Sequence, residues 1–149
     1  MSTEIRAVTE AEFPKVEPLI VAYQTFYEVD DIDPERNRQF FSRFIGSNHS
    51  GWLLGAWQAD RLVGFGCFYR HKSSLSASNI VLMHDLYVDP ETRGEGVGRA
   101  LIKAGRDLAR EWGASHLAWT TAPDNHPAQR LYDSFDVDKS TWLEYELEA

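Results

Sequence analysis

The sequence predicts a mixed α/β (α+β) domain built on a mostly antiparallel mixed sheet, and three observations predict it. First, Leu86 to Leu101 joins a strand-like run to a glycine loop and then to a helix. Second, Trp52–Trp57 and Leu62–Arg70 are strand-like runs joined by the polar turn Gln58–Arg61, a hairpin pattern. Third, Val97, Ala100, Leu101, Ala104, Leu108 and Trp112 keep a helical period, while Arg99, Lys103, Arg106, Asp107, Arg110 and Glu111 take the opposite face. With Leu117–Thr120 as the next strand, this part reads as strand, crossover helix and parallel strand.

The remaining elements follow in chain order. Glu4–Val8 reads as a first strand, and Thr9-x-x-Glu12 offers a capping box for a helix. Phe13, Val16, Leu19, Ile20, Tyr23, Phe26 and Tyr27 recur at helical spacing, but Pro14 and Pro18 each lack the donor an interior turn needs, so the start of this helix stays open. Asp33-Pro34 is a strong second helix start, with Phe40, Phe41, Phe44 and Ile45 as its apolar stripe and Gly46 at its end. Ser73–Ser78 reads as a small-residue loop, and Ile80–Val88 as the strand that delivers the glycine loop, stopped by Pro90. Gly113 closes the long helix, a short helix runs from Ala128 to Tyr132, and Thr141–Leu147 reads as a last strand. No repeat or linker interrupts residues 1–149, which suit one domain.

Composition narrows the function classes. A net charge of -8 argues against non-specific nucleic-acid binding, which needs clustered Lys and Arg. The N-terminus lacks a basic and then apolar leader, and no apolar run approaches the ~18 residues of a membrane span, so a soluble cytoplasmic protein is expected. The five histidines and the single Cys67 lack metal-ligand spacing, so no metal site is expected, and Cys67 in its apolar run reads as a buried structural thiol. The acids of Tyr23–Asp33 read either as a solvated turn or, with the aromatics before them, as the wall of an amine pocket.

Gly94, Gly96 and Gly98 let backbone N–H groups approach a ligand, and the following helix adds its free N-terminal donors, which makes an anion cradle. Two familiar phosphate loops do not fit. Arg99 breaks G-x-G-x-x-G, and the Walker Gly-Lys-Ser/Thr ending is absent. What does fit is Arg93-x-x-Gly96-x-Gly98 behind Leu-Tyr-Val-Asp-Pro, followed downstream by Asn125-x-x-Ala128-x-x-x-Tyr132. These two ordered motifs resemble the GNAT superfamily of N-acetyltransferases, and the order of elements is similar to that fold over nearly the whole chain. The resemblance implies helices on both faces of the sheet and central parallel strands that splay around a pantetheine arm. It also implies acetyl-CoA as acetyl donor, its pyrophosphate held by the loop residues Arg93, Gly94, Glu95, Gly96, Val97, Gly98 and Arg99, and contacts to the rest of the cofactor from Leu86, Tyr87, Val88, Asn125 and Tyr132.

The implied reaction is direct attack of a neutral primary amine on the thioester. An alkylammonium with a pKa near about 10.4 is neutral about once in 2,500 molecules at pH 7, a deficit of roughly 4.6 kcal/mol, so a base or relay must help. His84 is the histidine on the strand entering the loop and the candidate base, with Glu28 and Asp30 as alternatives on the acceptor side. Asp85, next to it, is expected on the opposite face of an undistorted strand. Tyr27, Glu28, Asp30 and Asp85 are the candidate acceptor contacts, and Tyr132 is the candidate acid for the departing thiolate, by the family pattern. Asn125 either caps the short helix or hydrogen-bonds the pantetheine. The chain departs from the family pattern at Ser134-Phe135-Asp136-Val137, where a glycine often precedes the aromatic. Several segments look most like the histone and polyamine acetyltransferase branch, with a small-molecule amine or a protein lysine as acceptor. Homodimerisation is consistent with the resemblance. The non-enzymatic alternative is an acyl-CoA-binding sensor or interaction module on the same fold.

Overall fold

The computed structural model describes residues 2–149. Five strands, β1 (Glu4–Ala7), β2 (Gly51–Gln58), β3 (Arg61–Ser73), β4 (Ser78–Val88) and β5 (Leu117–Ala118), form one sheet in the order β1-β2-β3-β4-β5. The first four pair antiparallel, and β4 pairs parallel with β5. Thr9 closes its capping box with Glu12 on a single 3-10 turn, and α1 (Phe13–Phe26) follows directly. Pro14 sits in the first turn of α1, where its missing donor costs nothing, so only Pro18 breaks the interior ladder. In α2 (Pro34–Phe41) Asp33 accepts from the amides of Glu35 and Arg36 at 3.0 and 3.2 Å.

Two apolar clusters sandwich the sheet. On one face α1 and α2 bury Phe13, Val16, Ile20 and Phe41 against Leu53, Phe65 and Cys67. On the other, α3 (Val97–Trp112) buries Val97, Leu101, Ile102 and Ala109 against Val63, Phe68 and Val81, and α4 (His126–Asp133) packs beside it through Leu131 and Tyr132. Cys67 is fully buried, and burial pushes its thiol well above the ordinary value, as a structural thiol requires.

Four expectations need correction. The hairpin turn is only Ala59-Asp60, since Gln58 and Arg61 pair with each other; likewise Ser73 pairs with Ser78, and the loop shrinks to four residues. The strand after α3 stops at Ala118 rather than Thr120, because the chain turns away from β4 after two paired residues. The last strand, Thr141–Leu147, does not form: Leu143, Tyr145 and Leu147 are 79%, 87% and 96% exposed, and residues 136–149 carry no regular element. Alternation gives a segment strand character, but a strand needs a ladder partner for its backbone groups, and the two-residue β5 offers the tail almost no edge.

Candidate active site

Beyond Leu82 the strand β4 runs on for six residues, Met83 to Val88, with β5 no longer beside it. Asp89 donates its amide to Val63 on β3 at 2.8 Å, so by strand alternation the peptide groups of Val88 and Leu86 point to the opposite edge, into the gap left by β5. The Arg93 guanidinium turns back there, donating from Nε to the Val88 carbonyl at 3.1 Å and lying over the Tyr87 ring.

Past Val88 comes the loop. Gly94 and Gly96 adopt left-handed φ of 84° and 85°, conformations that L side chains disfavour by roughly 1–2 kcal/mol. An added Cβ at either would meet nothing within 4 Å, so these glycines serve the backbone path and leave the loop's outer face open. Gly98 has a different reason: a Cβ there would stand 3.0 Å from Leu131 on α4. The first intrahelical bond of α3 is Ala100 N–H to Gly96 carbonyl at 3.0 Å, and no side chain caps the helix. The amides of Val97, Gly98 and Arg99 therefore remain free donors at the positive end of a sixteen-residue helix, which suits an anion such as a diphosphate. Glu95 accepts from Gln58 at 3.2 Å, and Arg99 donates to the Ser134 hydroxyl and stacks over Phe135. Both side chains brace the loop rather than point out of it. Asn125 accepts from the Ala128 amide at 3.3 Å, so it caps α4, the first of its two expected roles.

The second half of the site is a cavity of about 430 Å³ between α1, α2 and the sheet, lined by Tyr23, Tyr27, Arg36, Tyr69, His84 and Asp85 among others. Here β4 departs from regularity. Cys67 pairs with Asp85 and Phe68 with Met83, so His84 is an extra residue in a β-bulge. The bulge brings His84 and Asp85 to the same face, correcting the expectation that an undistorted strand would separate them. His84 Nδ1 lies 3.0 Å from Asp85 Oδ1. An ionised carboxylate only accepts, so Nδ1 carries the proton and Nε2 is left as the basic nitrogen. The Asp85 hydrogen bond holds the imidazole above its ordinary pKa against partial burial, and the charges of Asp85 and Glu144 add to it. The His84 ring stacks on Tyr69 at 5.0 Å, and Asp85 is 4% exposed.

Of the expected acceptor contacts, Tyr27 and Asp85 line this cavity, whereas Glu28 and Asp30 lie on the exposed turn after α1. Tyr132 lies on α4, half-buried, edge-on to Trp119 at 5.4 Å. Burial raises its phenol, and nearby Tyr27 raises it further, so it keeps its proton through neutral pH. Gly98 lies against Leu131 on α4, Tyr132 follows on the same helix, and Tyr27 lines the cavity that holds His84. Sequence reasoning placed Tyr23 in a candidate amine-pocket wall, and the cavity includes it, but it did not assign Arg36, Asn37, Phe40, Phe41 or Tyr69 to a site. Only Tyr69 carried a usable signal, since it continues the alternation Phe65, Cys67, Tyr69 toward the α1 face.

A sheet whose parallel strands part beside a glycine loop and an uncapped helix defines a class, and residues 16–136 match the Acetyltransferase (GNAT) family. The chain belongs to that family. It is 35% identical to the D-amino-acid N-acetyltransferase of Saccharomyces cerevisiae, covering 85% of this chain and 82% of that protein. It is 29% identical to an uncharacterized N-acetyltransferase of Bacillus subtilis, covering 92% and 91% respectively. Among solved structures, a probable acetyltransferase superposes with a TM-score of 0.83 at 28% identity, covering 100% of this chain and 98% of that one. The fold is shared as well, at a TM-score of 0.84, 15% identity and coverage of 100% and 99%, with an AAC(6')-Iy in complex with a CoA-based bisubstrate analog. Among the described residues no helix is long and apolar enough to cross a membrane.

Proposed function

We propose that this chain transfers the acetyl group of acetyl-CoA directly to a primary amine on a small molecule. One observation carries the reading: the bulged His84–Asp85 pair and the uncapped amides of Val97, Gly98 and Arg99 stand at the two ends of the stretch of β4 that β5 leaves unpaired. Acetyl-CoA supplies the thioester. The open glycine loop and the α3 N-terminus fit its diphosphate, and the peptide groups of Leu86 and Val88 fit its amide-bearing arm. His84 Nε2 takes the ammonium proton, and Asp85 steadies the imidazolium that results. Tyr132, which holds its proton through neutral pH, supplies it to the departing thiolate.

The donor, the direct transfer and these residue roles form one reading, and two relatives support its small-molecule acceptor. One is named for D-amino acids; a Bos taurus relative, 34% identical over 60% of this chain and 52% of that protein, is named for thialysine. The histone and polyamine acetyltransferase branch is the narrower placement by sequence likeness, and it is proposed apart from the identity of the acceptor. The test is release of free thiol from acetyl-CoA with an amine panel, with acetylated product identified by mass. Amine-dependent release together with a matching product is expected. Cofactor binding with no release for any amine returns the chain to an acyl-CoA-binding role without transfer.

A further inference from the structure

We infer that the cavity beside His84 takes a primary monoamine with an aromatic or bulky apolar body, and that Arg36 turns polyamines away. The inference rests on the acetyl-transfer reading and specifies its acceptor. Tyr23, Tyr27, Phe40, Phe41 and Tyr69 wall the cavity. Aromatic faces give an apolar body contact area and give one ammonium a favourable quadrupole. The volume of about 430 Å³ falls within the range of roughly 300–1,000 Å³ typical of small-ligand pockets.

The polar groups of the wall are few and largely committed. Gln24 and Asn37 exchange two hydrogen bonds of 2.8 Å, a closed amide pair with Asn37 7% exposed. Among the described residues Asp85 is the one carboxylate lining the cavity, and it already holds His84. Arg36 brings a guanidinium into the same lining, anchored by the carboxylate of Asp31 at 3.2 Å and by its backbone carbonyl.

A single amine placed at His84 therefore meets a base backed by a buried carboxylate. A second ammonium on the same molecule meets Arg36, a like charge already paired with Asp31, and finds no further carboxylate in the lining. Glu28 and Asp30 do not offset this. They are exposed on the turn outside the lining, where solvent screens an ion pair.

The test compares phenethylamine with spermidine as acceptors for the intact chain, by free-thiol release from acetyl-CoA. The expected kcat/KM for phenethylamine exceeds that for spermidine by at least about tenfold, the ratio that ~1.4 kcal/mol produces. Arg36→Gln raises the spermidine-to-phenethylamine ratio by about fivefold or more, and Arg36→Lys, which keeps the charge, holds the ratio near that of the unaltered chain. Spermidine used as well as phenethylamine, or an unmoved ratio in Arg36→Gln, overturns the inference and leaves acetyl transfer standing. Absence of thiol release with every amine, when thermal shift still reports acetyl-CoA binding, overturns the transfer reading itself.

Discussion

At the glycine loop the groups offered to a ligand are peptide N–H donors of consecutive residues, whereas the cavity beside His84 is walled by side chains drawn from α1, α2, β3 and β4. The first is fixed by local conformation: two left-handed glycines and an uncapped helix suffice. The second depends on tertiary placement, and above all on one bulge that turns His84 and Asp85 to the same side. A site of this kind keeps one ligand constant and lets the other change, because wall residues can be exchanged without disturbing the loop.

Variants in the two regions should separate accordingly. The largest effect is expected at Tyr132 on α4. Tyr132→Phe removes the phenolic proton and should lower kcat by about a hundredfold, with CoA affinity held within about twofold by isothermal titration. An unchanged kcat removes Tyr132 from the chemistry. At the loop, Gly96→Glu imposes a side chain on a left-handed φ and a negative charge on an anion cradle. The expected cost of ~2 kcal/mol weakens CoA binding about thirtyfold, while far-UV circular dichroism stays that of the parent.

In the cavity, Asp85→Asn should act on pH dependence. Asp85 holds the His84 pKa above its ordinary value, so the basic form is available only above that raised value. Loss of the carboxylate lowers the pKa toward about 6.5, and the acid limb of kcat/KM moves to lower pH. A limb that stays in place means His84 is not the base. The smallest effect belongs to the tail. Removing residues 141–149 deletes side chains that are almost fully exposed, so Tm should stay within about 2 °C, and the acid limb should fall slightly as the charge of Glu144 is lost.

The contrast also explains what the sequence could disclose. Local rules placed the Thr9–Glu12 box, the Asp33-Pro34 start, the α3 stripe and the loop glycines, because each depends on neighbours a few residues away. The same rules gave Asp85 to the wrong face, since nothing in Met83-His84-Asp85 announces a bulge that arises only from pairing with Cys67 and Phe68. They also promised a strand at Thr141–Leu147, where alternation is clean but a ladder partner is lacking. Phe40 and Phe41 were readable as apolar, though not as cavity walls, because that role depends on where α2 lies against Tyr69 and Tyr23.

The central claim is that free peptide donors at the start of α3 hold the cofactor's diphosphate. A titration of the ¹⁵N-labelled chain with CoA, followed by amide chemical shifts, tests it most directly. The account predicts the largest shifts at Gly96, Val97, Gly98 and Arg99, with Leu86 and Val88 next along the β4 edge. Saturating CoA that leaves these amides unmoved while shifting others would contradict it.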